Sequence, residues 1–300
     1  MRGVNTAQVA AYLAVIDTGG FRSGAARLGV TQGAVSQQVR RLEAELGASL
    51  IQRGPAGCRP APGTEAFVRY ARTLADVTDR AARLFRDPEV VVGAASNIGT
   101  YLLQPVIKTI SEMHSGRYRI RQYLGTNSDV LDRLALGAVD IAITEWWDHR
   151  PGFWGERWRE EDLVVIVGPG HRWWDRGSVT VSDLAGETIL GGEPASGTGT
   201  LLRTVLGDAA ARLPAAVNLG STAAVKEAVH AGLGVSLVLA ASVQPDVASG
   251  RLRILGLDGP ALRKSLWIIH PAALVPGDPV AMFTQAFVAA VALPGRAGQA

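Results

Sequence analysis

The segment from Gly19 to Glu43 constrains this chain more than any other, because it fits two short helices around a tight turn and gives the second of them a polar outer side. Ahead of it, Val9, Tyr12, Leu13 and Ile16 recur at helical spacing and predict a first helix that Gly19-Gly20 stops. A second helix is expected from about Ser23 to Leu28, with Gly29-Val30 as the turn. Thr31 suits the cap of a third helix reaching about Leu46, since its hydroxyl can accept from a first-turn amide that has no partner within the helix. Val35, Val39, Leu42 and Leu46 form a seam expected to bury against the first two helices, which leaves Gln32, Ser36, Gln37, Arg40 and Arg41 outward.

Those outward residue types suit a DNA groove. Gln can bond two positions on an adenine edge, Ser can meet a base or a phosphate, and Arg can grip a phosphate or a guanine. A solvated polar face on an ordinary helical domain is the plainer alternative. After Gly47, the stretch Ser49 to Arg53 followed by Gly54-Pro55-Ala56-Gly57 predicts a strand and turn, hence a wing from which Arg53 could touch the DNA backbone or the minor groove, a solvated Arg being the plainer alternative. Cys58 lies at the wing's end and is read as incidental.

Charge follows the same division. Residues 1–60 hold seven Arg against three acids, whereas the whole chain of 300 residues has a formal net charge of only +3. Phosphate attraction would use the positive charge where it sits, beside the reading helix. A single cysteine forms no internal disulfide, no apolar run reaches the roughly 20 residues that cross a bilayer, and no signal-peptide pattern opens the chain. These features lead to an expected cytoplasmic location without membrane partners.

From Gly63 to Phe85 the pattern becomes one long amphipathic helix, with Phe67, Tyr70 or Ala71, Leu74, Val77, Ala81 and Leu84 in a near-heptad seam. Such a seam asks for a partner helix, so two copies pairing here would set two reading helices against an inverted repeat. Packing on its own wing is the duller alternative.

Pro88 marks a boundary, after which short β-branched strands alternate with helices, as in a parallel sheet covered by helices. Expected strands are Val90 to Val92, Tyr118 to Tyr123, Asp140 to Ile143, Leu163 to Val167, Thr188 to Leu190, Ala216 to Leu219, Val235 to Leu239 and Leu266 to His270. Helices are expected near 99–112, 128–136, from 199, 223–231 and 280–291. The expected organisation is α/β: residues 1–60 form a winged helix-turn-helix, 61–87 a linker and dimerisation helix, and 88–300 a domain of two α/β lobes with a cleft between them. Its first lobe spans about 88–162 and 267–300, its second about 163–266.

Polar clusters occur where strands hand over to helices, as ligand loops do in open α/β sheets. They are Ser96-Asn97, Thr126-Asn127, Glu145, Ser196 with Thr198, and Ser221-Thr222. Free amides at helix starts attract anions, but Ser, Thr and Asn also cap helices everywhere; it is the repetition in both lobes that suggests a shared effector site. Six of the seven Trp fall between Trp146 and Trp174. They fit an aromatic pocket, an oligomer contact or plain packing, and Trp146 is singled out for ligand contact because it follows a strand end.

Catalytic readings do not assemble. The five His show no paired metal spacing, Ser196-Gly197-Thr198-Gly199-Thr200 lacks a phosphate-loop Lys, and no nucleophile elbow is present. No enzyme, metal or cofactor is expected.

Taken together, the chain resembles the LysR-type transcriptional regulators over essentially its whole length. The resemblance is most specific in Gly19-Gly20-Phe21, in Val30-Thr31-Gln32-Gly33-Ala34-Val35-Ser36, and in Leu42-Glu43-Ala44-Glu45-Leu46-Gly47-Ala48-Ser49-Leu50-Ile51-Gln52-Arg53. It implies that Thr31, Gln32, Ser36 and Arg40 meet DNA from the third helix and Arg53 from the wing. It also implies a second half like a periplasmic binding protein, where Ser96-Asn97 and Thr144-Glu145 flank the cleft. Gly33 stands where Pro or Ser is usual, Arg59-Pro60 where Leu-Thr is usual, Asn97 where Thr is common, and Gly199 where a Ser-Gly-Thr-Arg motif has its Arg. Without that guanidinium a small carboxylate or sulfate-like effector is less securely implied, and with many Trp nearby a bulkier or aromatic effector becomes more plausible.

The resemblance leads to a regulator of promoter DNA, dimeric or homotetrameric, switched by a small molecule of unknown identity and contacting RNA polymerase. One alternative is an effector-independent regulator whose second half serves oligomerisation only. A solute-binding transport component is another, and it predicts an export segment and no DNA affinity.

Overall fold

The computed structural model describes residues 4–114, 116–193, 196–213, 215–217 and 219–292. Two compact units emerge, one made of Met1–Glu89 with Leu136–Ala138 and the other of the remainder.

In the first unit, α1 (Thr6–Thr18), α2 (Phe21–Leu28) and α3 (Gln32–Leu46) precede a hairpin of β1 (Ile51–Gly54) and β2 (Gly57–Pro60), then α4 (Glu65–Arg83). Each boundary has a local cause. Asn5 caps α1 and shares a reciprocal capping box with Gln8, while Gly19, Gly29 and Gly47 close the three helices in the left-handed conformation that glycine enters freely. Tyr12, Ala25, Val35, Val39, Leu42 and Leu50 form the core of this head. Leu46, expected in the seam, is instead 39 % exposed, as the last residue of α3 before Gly47 closes the helix.

The second unit continues with β3 (Glu89–Ala95), α5 (Ser96–Tyr101), α6 (Leu103–Met113), β4 (Arg119–Gly125), α7 (Asn127–Ala135) and β5 (Ile141–Thr144). It then runs through β6 (Phe153–Val167), β7 (Ser178–Thr180), α8 (Val181–Leu184), β8 (Ile189–Leu190), α9 (Gly197–Leu206), β9 (Ala215–Val217) and α10 (Thr222–His230). Last come β10 (Ser236–Leu239), α11 (Gln244–Ala248), β11 (Arg253–Asp258), β12 (Arg263–Pro271) and α12 (Pro279–Ala292). The single helix expected near 99–112 is two, broken at the non-helical Leu102.

An eight-stranded sheet runs β4-β3-β5-β12-β6-β11-β7, with β10 also on β6. It is mixed rather than parallel: β3 and β5 run parallel, but β12 is antiparallel to both β5 and β6. The reason is β6, fifteen residues long, whose first part pairs with β12 and whose last part pairs with β10 and β11. Thus β6 and β12 carry the chain between two lobes. One core holds Val90, Ile141, Ile143, Leu266, Ile268 and Phe283, and another holds Val165, Trp173, Leu184, Leu237 and Leu255.

The tryptophans divide among these cores. Trp146 and Trp147 pack beside Leu131 and Ile269, Trp158 meets Phe287 edge-on at 5.1 Å, Trp173 is fully buried in the second lobe, and Trp154 is 59 % exposed. No helix among the described residues is long and apolar enough to cross a membrane.

Candidate functional site

The first candidate surface is built on α3. Thr31 is extended at ψ 151°, and its Oγ1 accepts from the Ala34 amide at 3.2 Å, so the helix begins at Gln32. Val35, Val39 and Leu42 are almost completely buried, which fixes the rotation of the helix. Gln32, Gln37, Arg40 and Arg41 are therefore exposed and Ser36 half-buried at the edge of the same side. A Cβ at Gly33 would meet only Thr31 Oγ1, at 4.0 Å, so the glycine there answers no steric demand.

The wing is tied to this reader by contacts that spacing alone did not reveal. Glu43 accepts from the backbone amides of Leu50 at 2.8 Å and Ile51 at 3.3 Å, fastening the end of α3 to the start of β1. Cys58 donates its backbone N–H to the Gly19 carbonyl at 2.8 Å, and Gly57 sits at φ 100° with its Cβ position only 2.6 Å from that same oxygen. Cys58 thus belongs to the second wing strand, half-buried against the head. Arg53 lies on β1 with its guanidinium 4.6 Å from the centre of the Phe21 ring, a cation–π contact that holds an exposed cation beside the start of α2. Asp17 binds both Arg27 and Arg72, at 3.3 and 2.6 Å, linking α1, α2 and α4.

The second candidate site lies between the lobes of the second unit. Three of the predicted side chains are occupied as helix caps: Thr126 Oγ1 accepts from the Asp129 amide, Ser196 Oγ from Gly199, and Ser221 Oγ from Ala224. Ser196 also donates to the Glu193 carbonyl, and Ser96 donates to the Gly125 carbonyl. Trp146 engages through its backbone, whose carbonyl accepts from the Thr144 hydroxyl at 2.7 Å.

The others bond to one another, some of them across the cleft. Thr222, at the start of α10, donates to Asn97 Oδ1 on α5 at 2.7 Å. Asn127 Oδ1 accepts from the Glu145 amide at 2.7 Å and so fixes the backbone just past β5. The Glu145 carboxylate lies 2.5 Å from Lys264 Nζ, and the same ammonium donates to Thr198 Oγ1 in the first turn of α9 at 3.1 Å.

Lys264 is the residue that sequence reasoning missed. Its signal was present: Lys264, Leu266 and Ile268 alternate along β12 and share its buried face, so the lysine points inward with them. It supplies a cation beside Ser196-Gly197-Thr198-Gly199, where the resemblance found none. Opposite Lys264 in the β6–β12 register stands Glu161, which is 6 % exposed. Burial pushes the Glu161 carboxyl up from the usual carboxylate range, against the opposing pull of Arg159.

Comparison with known proteins settles the kinship. A model for the lysR family of bacterial regulatory helix-turn-helix proteins matches residues 6–65, and one for the LysR substrate binding domain matches residues 86–292. This chain belongs to the LysR family. It is a DNA-binding transcriptional regulator with an effector-binding domain.

Among its relatives, the putative HTH-type transcriptional regulator protein PtxE of Stutzerimonas stutzeri is 39 % identical over 195 residues, covering 65 % of this chain and all of PtxE. The HTH-type transcriptional regulator CbbR of Xanthobacter flavus is 31 % identical, covering 83 % of this chain and 77 % of its own. The crystal structure of CbnR, a LysR family transcriptional regulator, superposes with a TM-score of 0.74 at 19 % identity, over 96 % of this LysR chain and 99 % of CbnR. Full-length CbnR complexed with its target DNA gives 0.71 at 20 % identity, covering 96 % of this chain and all of that one. At such identities the superpositions speak for the fold.

Proposed function

We infer that this LysR-family regulator reads double-stranded promoter DNA with the exposed side of α3 and is switched by a small molecule received between the lobes of its second unit. Thr31, Gln32, Ser36, Gln37 and Arg40 serve the groove, and Arg53 the adjoining backbone. Gln32 and Arg40 reach base edges, which specify sequence, whereas Arg53 acts on phosphate, which sets position.

The observation that carries the switch is the pair of polar bridges across the cleft, Thr222 to Asn97 and Lys264 to both Glu145 and Thr198. A ligand that takes over these bonds binds the bridged and unbridged lobes with different affinity, which is what regulation requires. Residues 61–87 act as the linker and pair with the same segment of a second copy. In support, Tyr70, Leu74, Leu84 and Phe85 are exposed, Phe85 at 94 %. A dimer built this way sets two α3 helices against an inverted repeat; dimers assemble further into tetramers, and the bound promoter is presented to RNA polymerase.

Footprinting on the DNA flanking its own gene, with and without candidate metabolites, tests the reading. A ligand-dependent change in footprint length or affinity is expected. An unchanged footprint at saturating ligand, with calorimetry finding no stoichiometric binding, would instead favour a second unit that serves assembly alone.

A further inference from the structure

The Lys264–Glu145 pair is sealed from solvent, with side-chain exposures of 3 % and 6 %. Desolvating two charges costs several kcal/mol per ion, and an apolar pair of the same volume is often as stable, so packing alone does not call for this arrangement. Its members also come from different places: Lys264 from the start of β12, Glu145 from the residue after β5, and Thr198 from the first turn of α9 in the other lobe. Gly197 makes the seat possible, because a Cβ there would fall 2.0 Å from Glu145 Oε2 and 3.3 Å from Lys264 Nζ.

The two partners differ in their freedom to leave. Lys264 belongs to a strand hydrogen-bonded to β6 and has buried Glu161 as its register neighbour. A ligand that displaced the ammonium would strand it inside the sheet. Glu145 lies just past the end of β5 and is pinned through its backbone amide to Asn127, so its carboxylate can leave by side-chain rotation without breaking a strand pairing. What remains is an ammonium and a hydroxyl, the donor set that a small oxoanion or carboxylate needs.

We propose that Glu145 is a built-in stand-in for the effector: the ligand is a small anion that displaces the Glu145 carboxylate from Lys264 and Thr198, and in doing so opens the bridge between the lobes. This rests on the reading of the cleft as the effector site. A tethered carboxylate competes at high effective concentration, so Glu145 raises the anion concentration at which the regulator responds.

The test uses the full-length protein with sodium acetate, phosphate and sulfate as probes, at constant ionic strength set with chloride, followed by calorimetry and thermal shift. Putrescine serves as the cationic counter-probe. Glu145→Gln keeps the shape and removes the competing charge, so at least one of the three anions should bind it roughly tenfold or more tighter than wild type. Lys264→Gln should abolish that binding. Thr198→Val should weaken it, which provides a second variant should Lys264→Gln fail to fold.

Equal anion affinity in Glu145→Gln and wild type, no anion binding by either, or putrescine binding that Glu145→Gln destroys would each overturn the proposal. The footprint separates the two levels of inference. A metabolite response that is identical in wild type and Glu145→Gln sinks the stand-in while leaving the cleft reading intact, and no metabolite response at all sinks the cleft reading itself.

Discussion

Replacing Gly57 with Ala attacks a place where the wing is pinned to the head by backbone alone. The residue sits at φ 100°, and its Cβ would stand 2.6 Å from the Gly19 carbonyl oxygen that accepts the Cys58 amide. An L-residue on that side of the Ramachandran map costs about 1–2 kcal/mol. Pushing the carbonyl away from its donor adds about 0.5–1.5 kcal/mol. Because the hairpin can detach without unfolding the three helices, the sum of about 1.5–3.5 kcal/mol falls on a local opening rather than on the whole unit. Amide hydrogen exchange at Cys58 should therefore accelerate by about ten- to 300-fold, at about 1.4 kcal/mol per factor of ten, while the amides of α1 and α3 keep their protection. Affinity for operator DNA should fall as well, since Arg53 rides on the freed strand. Unchanged exchange at Cys58 in a folded Gly57→Ala protein would refute this account of the wing.

Gly33→Ala should stabilise the first unit by about 0.5–1 kcal/mol in urea melts, because the position is helical and unobstructed and Gly pays the larger entropy; a destabilised variant would mean that the backbone there needs glycine. Trp173→Ala should cost about 3–5 kcal/mol by leaving a cavity in the second lobe's core, and a loss below 1 kcal/mol would show that the site collapses freely. Glu161 gives a pH signature. Its folded carboxyl is raised by burial, so the stability it contributes is complete below the unfolded carboxylate range and is lost as pH rises through the folded value. Glu161→Gln should thus gain on wild type between acid and neutral pH in paired melts. A stability difference independent of pH would contradict that sign.

How much of this could be read in advance depends on where the information lies along the chain. The head was legible because its signals are local: Asn5, Gly19, Gly29, Thr31 and Gly47 punctuate the helices, and Val35, Val39 and Leu42 set their rotation. The second unit was harder. The first part of β6 reads as a charged loop, with Glu156, Arg157, Arg159, Glu160, Glu161 and Asp162 in close succession, and becomes a strand only because β12 returns from a hundred residues away to pair with it. β7 and β11 escaped for a similar reason, since each is short and finds its partner far along the chain. Among the candidate cleft residues, Thr126, Ser196 and Ser221 cap helices, a role that spacing cannot tell apart from ligand donation. Lys264 escaped because inward lysines are rare and its partner, Glu145, is distant in sequence.

The most direct test of the DNA-reading face is selection of bound duplexes from a random pool by wild type, Gln32→Ala and Arg40→Ala, with melting curves to show that each is folded. Each lost base contact should cost about 1–3 kcal/mol of discrimination and relax the selected sequence at a defined position in both half-sites. If both variants select the same sequence with the same affinity as wild type, the exposed side of α3 is not what reads the duplex.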